Sequence, residues 1–210
     1  MLTRFTPDIF LALPALLIAL TFHEYAHAWA ADRLGDPTPR MRGRLTLNPI
    51  AHIDPIGLLM LLLFRFGWAK PVEVNPYNFD NREQGMAWVS LAGPGINLLL
   101  GFVATLLRLL LLYNTGYTPL VKLLEWLIIY NVYLAVFNLI PIPPLDGSKL
   151  LFFFLPRGTV YRYLDTISQY GFIILVLAVS SGLVGKTIGR IADGILFLYD
   201  RVIFTLLGLW

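Results

Sequence analysis

Residues 9–31 are apolar throughout except at Thr21, His23, Glu24 and His27. A helix of that length crosses a hydrocarbon core of about 30 Å. A charged side chain in such a segment costs about 2 to 3.5 kcal/mol or more. The segment therefore has to be helical, and its polar residues have to face protein or a compensating ion. At about 3.6 residues per turn, His23 and His27 stand one turn apart on one face, with Glu24 beside them. Two imidazoles at this spacing can take two corners of a tetrahedral Zn²⁺, and the adjacent carboxylate can deprotonate a water on the metal. The plain alternative is a hydrogen-bonded packing cluster, and an intramembrane carboxylate weighs against it.

Composition extends the membrane reading to the whole chain. Of 210 residues 57% are hydrophobic and 14% are charged, where a soluble domain carries about a quarter charged. The expected class is an all-α polytopic membrane protein with about five to six spans, a re-entrant segment and short β-strands near the site. With no cysteine, disulfides and thiolate ligands are excluded, so a metal must rest on nitrogen and oxygen. The net charge of +3 is small and the arginines sit near segment ends, a topology signal rather than a nucleic-acid surface. The first run is longer than a signal-peptide core of about 7 to 15 residues, and is read as a retained span.

In chain order, the first span stops at Gly35 and Pro37. Arg33, Arg40, Arg42 and Arg44 follow it, against Arg4 before it, which places the loop in the cytosol and the site within reach of that side of a cell (inner) membrane. Residues 44–47 alternate polar and apolar and predict a short strand, and residues 72–74 offer a second. Residues 56–66, with Arg65 near their end, are too short to cross and predict a re-entrant or interfacial segment. Further spans are expected over residues 85–112, 120–140, 163–184 and 188–209. The third breaks at Pro141, Pro143 and Pro144, which cannot continue a helix and leave Asp146 on unwound backbone. No second domain is visible, so residues 1–210 read as one integral membrane domain, with a core of about 9–150 and C-terminal spans over about 160–209.

A catalytic zinc needs three protein ligands and an open position. His23 and His27 supply two, and Asp146, Asp54 and His52 are the ionisable candidates for the third. The broken backbone favours Asp146, with a turn or capping role as its plain alternative. His52 and Asp54 read more readily as loop residues. Glu24 is the candidate general base and later proton donor, so the reaction class is metal-assisted amide hydrolysis. Asn97 is a candidate to donate to an oxyanion or hold substrate backbone, and equally to make an interhelical bond.

His23-Glu24-x-x-His27, Ala92-Gly93-Pro94-x-x-Asn97 and Asn138-x-x-Pro141-x-Pro143-x-Leu145-Asp146-Gly147 together resemble the site-2 protease family of intramembrane zinc metalloproteases, over residues 15–150. The resemblance implies zinc held by His23, His27 and Asp146, water activated by Glu24, and a three-helix catalytic core. It further implies regulated cleavage of transmembrane segments of substrate proteins, such as membrane-tethered regulators or signal-peptide remnants, within the lipid bilayer. With no PDZ or CBS insert and no span before the HExxH helix, the chain resembles the minimal prokaryotic forms. Because a helical substrate hides its carbonyls, an exposed strand edge is expected to capture it extended, and Leu45, Thr46 and Val72 are the candidate contacts. Two rivals remain. One is a metal-ion transporter using the same cluster, against which the plain later spans speak. The other is a non-catalytic membrane chaperone or adaptor, against which both metal-ligand motifs speak.

Overall fold

A computed structural model describes residues 9–64, 67–116 and 118–208. In chain order its helices are α1 (Ile9–Arg33), α2 (Thr38–Met41), α3 (Pro55–Phe64), α4 (Arg82–Thr115), α5 (Pro119–Asn138), α6 (Gly147–Leu150), α7 (Arg157–Ser180) and α8 (Leu183–Leu207). Short 3-10 turns lie at Pro49–His52, Pro76–Asn78 and Leu151–Phe153. The expected all-α class holds. Four helices are long and apolar enough to cross a membrane: Phe10–Arg33, Arg82–Asn114, Pro119–Asn138 and Arg157–Ser180. The chain is a multi-pass membrane protein.

Two expectations change. The last expected span is a helix, α8, but Lys186, Arg190, Asp193, Asp200 and Arg201 interrupt its apolar surface, and it is not among the four. Neither residues 44–47 nor 72–74 form a strand, and among the described residues the β pairing is a single antiparallel bridge, Ile53 to Ala69. At the first site the Arg44 guanidinium donates to the carbonyls of Ala51 and Lys70 and so ties these two segments together by a side chain. The stretch expected to be re-entrant or interfacial forms helix α3, ten residues long, with Ile56, Leu59 and Leu63 exposed. Arg65 of that segment, Arg4 of the charge count and Leu209 of the last span lie outside the described residues.

The structure divides into two compact units. The first comprises the described residues of Met1–Ala19, Asn97–Phe137 and Ile173–Trp210. Its interior is small and β-branched: Ala15, Ala19, Val121, Val132, Ala192 and Ile203 are fully buried. Ala104, Leu124 and Ile128 form a cluster flanked by Leu127 and Leu196. On α8 the buried positions Ile188, Ala192, Tyr199 and Ile203 recur at helical spacing, and Tyr199 Oη donates to the Leu98 carbonyl at 2.7 Å.

The second unit comprises Leu20–Ile96 and Asn138–Phe172. Gly35, at φ +102°, turns the chain out of α1 while the Asp36 N–H donates back to the Ala31 carbonyl at 2.9 Å. Asp36 then becomes an anchor. Its Oδ1 accepts from Thr38 N at 3.1 Å, Thr38 Oγ1 at 2.6 Å and Asn78 Nδ2 at 2.7 Å, and its Oδ2 from Asn75 N at 2.7 Å. The extended stretch before Asn75 is thereby held to the end of α1, over a core of Ala30, Ala31, Phe79 and Val89. After α5 the proline segment folds back so closely that a Cβ at Gly147 would stand 2.4 Å from the Leu139 carbonyl carbon. This close return delivers Asp146.

Candidate metal centre

All four residues of the expected chemistry lie in the second unit. His23 and His27 come from α1, and Asp146 from the turn that opens α6. Their rings meet edge to face with centroids 4.6 Å apart. His27 Nε2 is 3.0 Å from His23 Nε2 and 3.1 Å from Asp146 Oδ2, and His23 Nε2 is 3.3 Å from the same oxygen. Zinc bonds of about 2.0 to 2.1 Å set the edge of a tetrahedron at roughly 3.3 Å, so these three atoms form one face of such a site. His23 and His27 are only 4% and 7% exposed.

Proton bookkeeping makes the same point. His27 Nδ1 lies 2.7 Å from the Val89 carbonyl oxygen, which can only accept, so the ring carries its proton on Nδ1 and in neutral form offers a lone pair at Nε2. Asp146, when ionised, is acceptor-only. A neutral His27 and an ionised Asp146 thus turn acceptors toward one point, where a cation satisfies both. The donor set, two imidazoles and one carboxylate without sulfur, suits zinc. The Val89 bond is also the outer support that fixes the ring of a metal-ligating histidine.

Glu24 lies beside this triangle, and its Oε2 accepts from the backbone N–H of Val72 at 3.1 Å. Val72 is thus one candidate substrate contact that the fold brings onto the reactive carboxylate. Leu45 and Thr46 lie in a bend, where the Thr46 carbonyl accepts from His52 Nε2 at 2.8 Å. His52 is buried there at 2% exposure, not in an exposed loop. Asp54, the other alternative ligand, caps α3 by accepting from Gly57 N at 2.8 Å. Asn97 falls in the first unit, fully buried. Its amide donates to the Ala19 carbonyl at 3.0 Å and to Asn131 Oδ1 at 2.7 Å, so both hydrogens hold helices together.

Two contributors escaped the sequence reading. A Cβ on Gly93 would run into His27 Nε2 and stand 2.7 Å from His23 Cε1, so the glycine is what leaves room for the rings. Arg44 is 5% exposed, and burial depresses its guanidinium below the usual range, opposed by the negative charges of Glu24 and Glu73. The first role depends on a collision visible only in three dimensions. The second was masked by the arginine run, which reads as topology.

The description Peptidase family M50 matches residues 112–179. A protein of Bacillus subtilis strain 168 named "Putative zinc metalloprotease YwhC" is 37% identical over 171 residues, covering 77% of this chain and 76% of its own length. Rip2 of Mycolicibacterium smegmatis, described in the same words, is 34% identical over 173 residues, covering 80% of this chain and 65% of its own. Stage IV sporulation protein FB of Bacillus subtilis is 30% identical over 145 residues, covering 64% and 48%. The chain therefore spans three quarters of the first relative and just under two thirds of the second. No solved structure matches.

Proposed function

Because the chain belongs to peptidase family M50, we propose that it is a zinc metalloprotease that cleaves the transmembrane segments of other membrane proteins, with His23, His27 and Asp146 as ligands and Glu24 as the catalytic acid and base. One observation carries this reading: three potential ligand atoms, two of them on buried histidines, converge within 3.3 Å, and the His27 proton is committed to Val89. A zinc ion held there supplies a Lewis acid that acidifies water and polarises a scissile carbonyl.

The chain's own residues do the remainder. The Glu24 carboxylate takes a proton from the attacking water and passes it to the amine nitrogen that leaves as the C–N bond breaks. The Val72 N–H holds one Glu24 oxygen, which restricts the carboxylate to one orientation. Val89 fixes the His27 ring. Burial in a membrane helix limits the site to little water, which strengthens each of these electrostatic contacts.

The finer picture follows from the charge pattern. The site opens toward the cytosolic side of the cell membrane, α3 re-enters without crossing, and residues 1–210 act as one protease domain. Substrate lies extended along residues 44–47 or 72–74 and pairs by backbone hydrogen bonds. Thr46→Pro is expected to reduce cleavage while zinc content holds, and equal loss of both would refute that docking mode. Val72→Pro is a poorer test, since it also removes the donor to Glu24.

Glu24→Gln tests the chemistry. Cleavage of a single-span model substrate in detergent falls by at least about 100-fold, while zinc per chain, measured by metal analysis with a chelator control, stays at the wild-type value. Loss of metal in that variant, or metal flux through liposomes, would move the cluster to a transport role.

A further inference from the structure

The first unit contains a cavity of about 290 Å³ remote in sequence from the HExxH helix, lined by Thr105 and Arg108 of α4, Glu125 and Ile128 of α5, and Leu196 and Asp200 of α8. Its size is at the lower end of the roughly 300 to 1,000 Å³ of small-molecule sites. Three charged side chains converge in it. Arg108 lies seven residues before the end of α4, Glu125 six after the start of α5, and Asp200 seven before the end of α8. Each is about 10 Å inward from its helix end.

The charges are only partly matched. Arg108 Nη1 is 3.6 Å from Glu125 Oε1, with the side chains 27% and 33% exposed. Arg108 Nε is buried and has no hydrogen-bond partner among the described residues. The Asp200 carboxylate likewise makes no hydrogen bond or ion pair among the described residues. The cavity thus offers a partly exposed guanidinium and a carboxylate on one lining. Aliphatic side chains form the remaining wall.

We propose that this cavity binds a phosphoethanolamine group, with phosphate oxygen on Arg108 and the primary ammonium on Asp200 and Glu125. The lining chemistry excludes simpler occupants. A bare metal ion would be repelled by the guanidinium, and a phosphate without an amine leaves the Asp200 carboxylate without a donor. A quaternary ammonium donates no hydrogen bond and is recognised by aromatic rings, and none of the lining residues is aromatic. A zwitterion carrying N–H donors meets the exposed part of the guanidinium and the Asp200 carboxylate together, through charge-assisted bonds. The source is either phosphatidylethanolamine, its acyl carbons against Ile128 and Leu196, or a soluble headgroup.

The test uses the full chain reconstituted in vesicles of equimolar phosphatidylethanolamine, phosphatidylcholine and phosphatidylglycerol, extracted in mild detergent, with retained lipid counted by mass spectrometry. Phosphatidylethanolamine is expected to be enriched about tenfold over each of the others, the discrimination of roughly one charge-assisted hydrogen bond. Asp200→Asn and Arg108→Gln each reduce the enrichment to near parity, with zinc content unchanged. Glycerophosphoethanolamine that binds without vesicles identifies the soluble group as the source, and binding from vesicles alone identifies the lipid. Retention of the three lipids in bulk proportion by the unmodified chain overturns the proposal whether or not the variants fold. Enrichment that persists in Asp200→Asn overturns it too.

Discussion

Asp36 and Asp146 are both withdrawn from water in the second unit, and their surroundings differ in kind. Asp36 accepts from four donors on Thr38, Asn75 and Asn78, so its charge is fully solvated by the protein. Asp146 meets two imidazole nitrogens, and one of those rings has its proton committed elsewhere. Burial by itself therefore does not mark a functional carboxylate. The identity of its partners does: donors make a structural anchor, and further acceptors make a place for a cation.

The comparison breaks most visibly at Asp146. Asp146→Asn is expected to lower cleavage by at least about 1,000-fold, since it removes a ligand and with it the Lewis acid. The metal-free variant also loses the contacts of Asp146 with His23 and His27, so it should unfold about 1 to 3 kcal/mol below the metal-free parent. Gly93→Ala comes next. The added methyl displaces both rings, and zinc affinity in a competitive chelator titration should drop by about 10- to 100-fold, comparable to loss of a supporting contact.

Asp36→Asn should do the opposite of Asp146→Asn. It destabilises the metal-free chain by about 2 to 4 kcal/mol, the cost of breaking a buried charged network, and leaves zinc stoichiometry unchanged in the protein that remains folded. Its pH dependence has a fixed sign. Burial would raise the Asp36 carboxyl, but the bonds from Thr38, Asn75 and Asn78 hold it below the ordinary value of 3.8. A depressed folded value means that its stabilisation is present above the unfolded pKa and is lost as pH falls through the folded one. The gap in unfolding free energy between wild type and Asp36→Asn should thus close in acid. A gap that widened in acid would contradict the assignment.

The smallest effect is expected at Asn97. As an interhelical tie, Asn97→Ala costs about 1 to 3 kcal/mol of stability with turnover per folded molecule kept. A fall in turnover of about 100-fold or more, the scale of a lost oxyanion donor, would restore the catalytic reading.

What the sequence disclosed follows the same physics. His23, Glu24 and His27 stood out because lipid penalises polar side chains, so their presence in an apolar run already demanded a reason. Asp146 was legible through the prolines that unwind its backbone, and the long helices through the apolar runs. Asp36 and Arg44 were not legible. One sits in a Gly-Asp-Pro turn and the other in an arginine-rich loop, settings in which polar residues are expected to be exposed. Burial there arises from long-range partners, Asn75 and Asn78 for one and Lys70 for the other, which no local pattern encodes. The anticipated strands failed for a related reason. Alternation signals a half-buried face, but the burial of Arg44 comes from its bonds to the distant carbonyls of Ala51 and Lys70.

The most direct test of the central claim is zinc X-ray absorption on the purified full chain, paired with Asp146→Asn. The account predicts one zinc per chain with two imidazole nitrogens and oxygen ligands at about 2.0 to 2.1 Å, and a first coordination sphere that changes or empties in the variant. A wild-type spectrum without two imidazoles, or a variant that holds zinc in the same sphere with the same affinity, would contradict it.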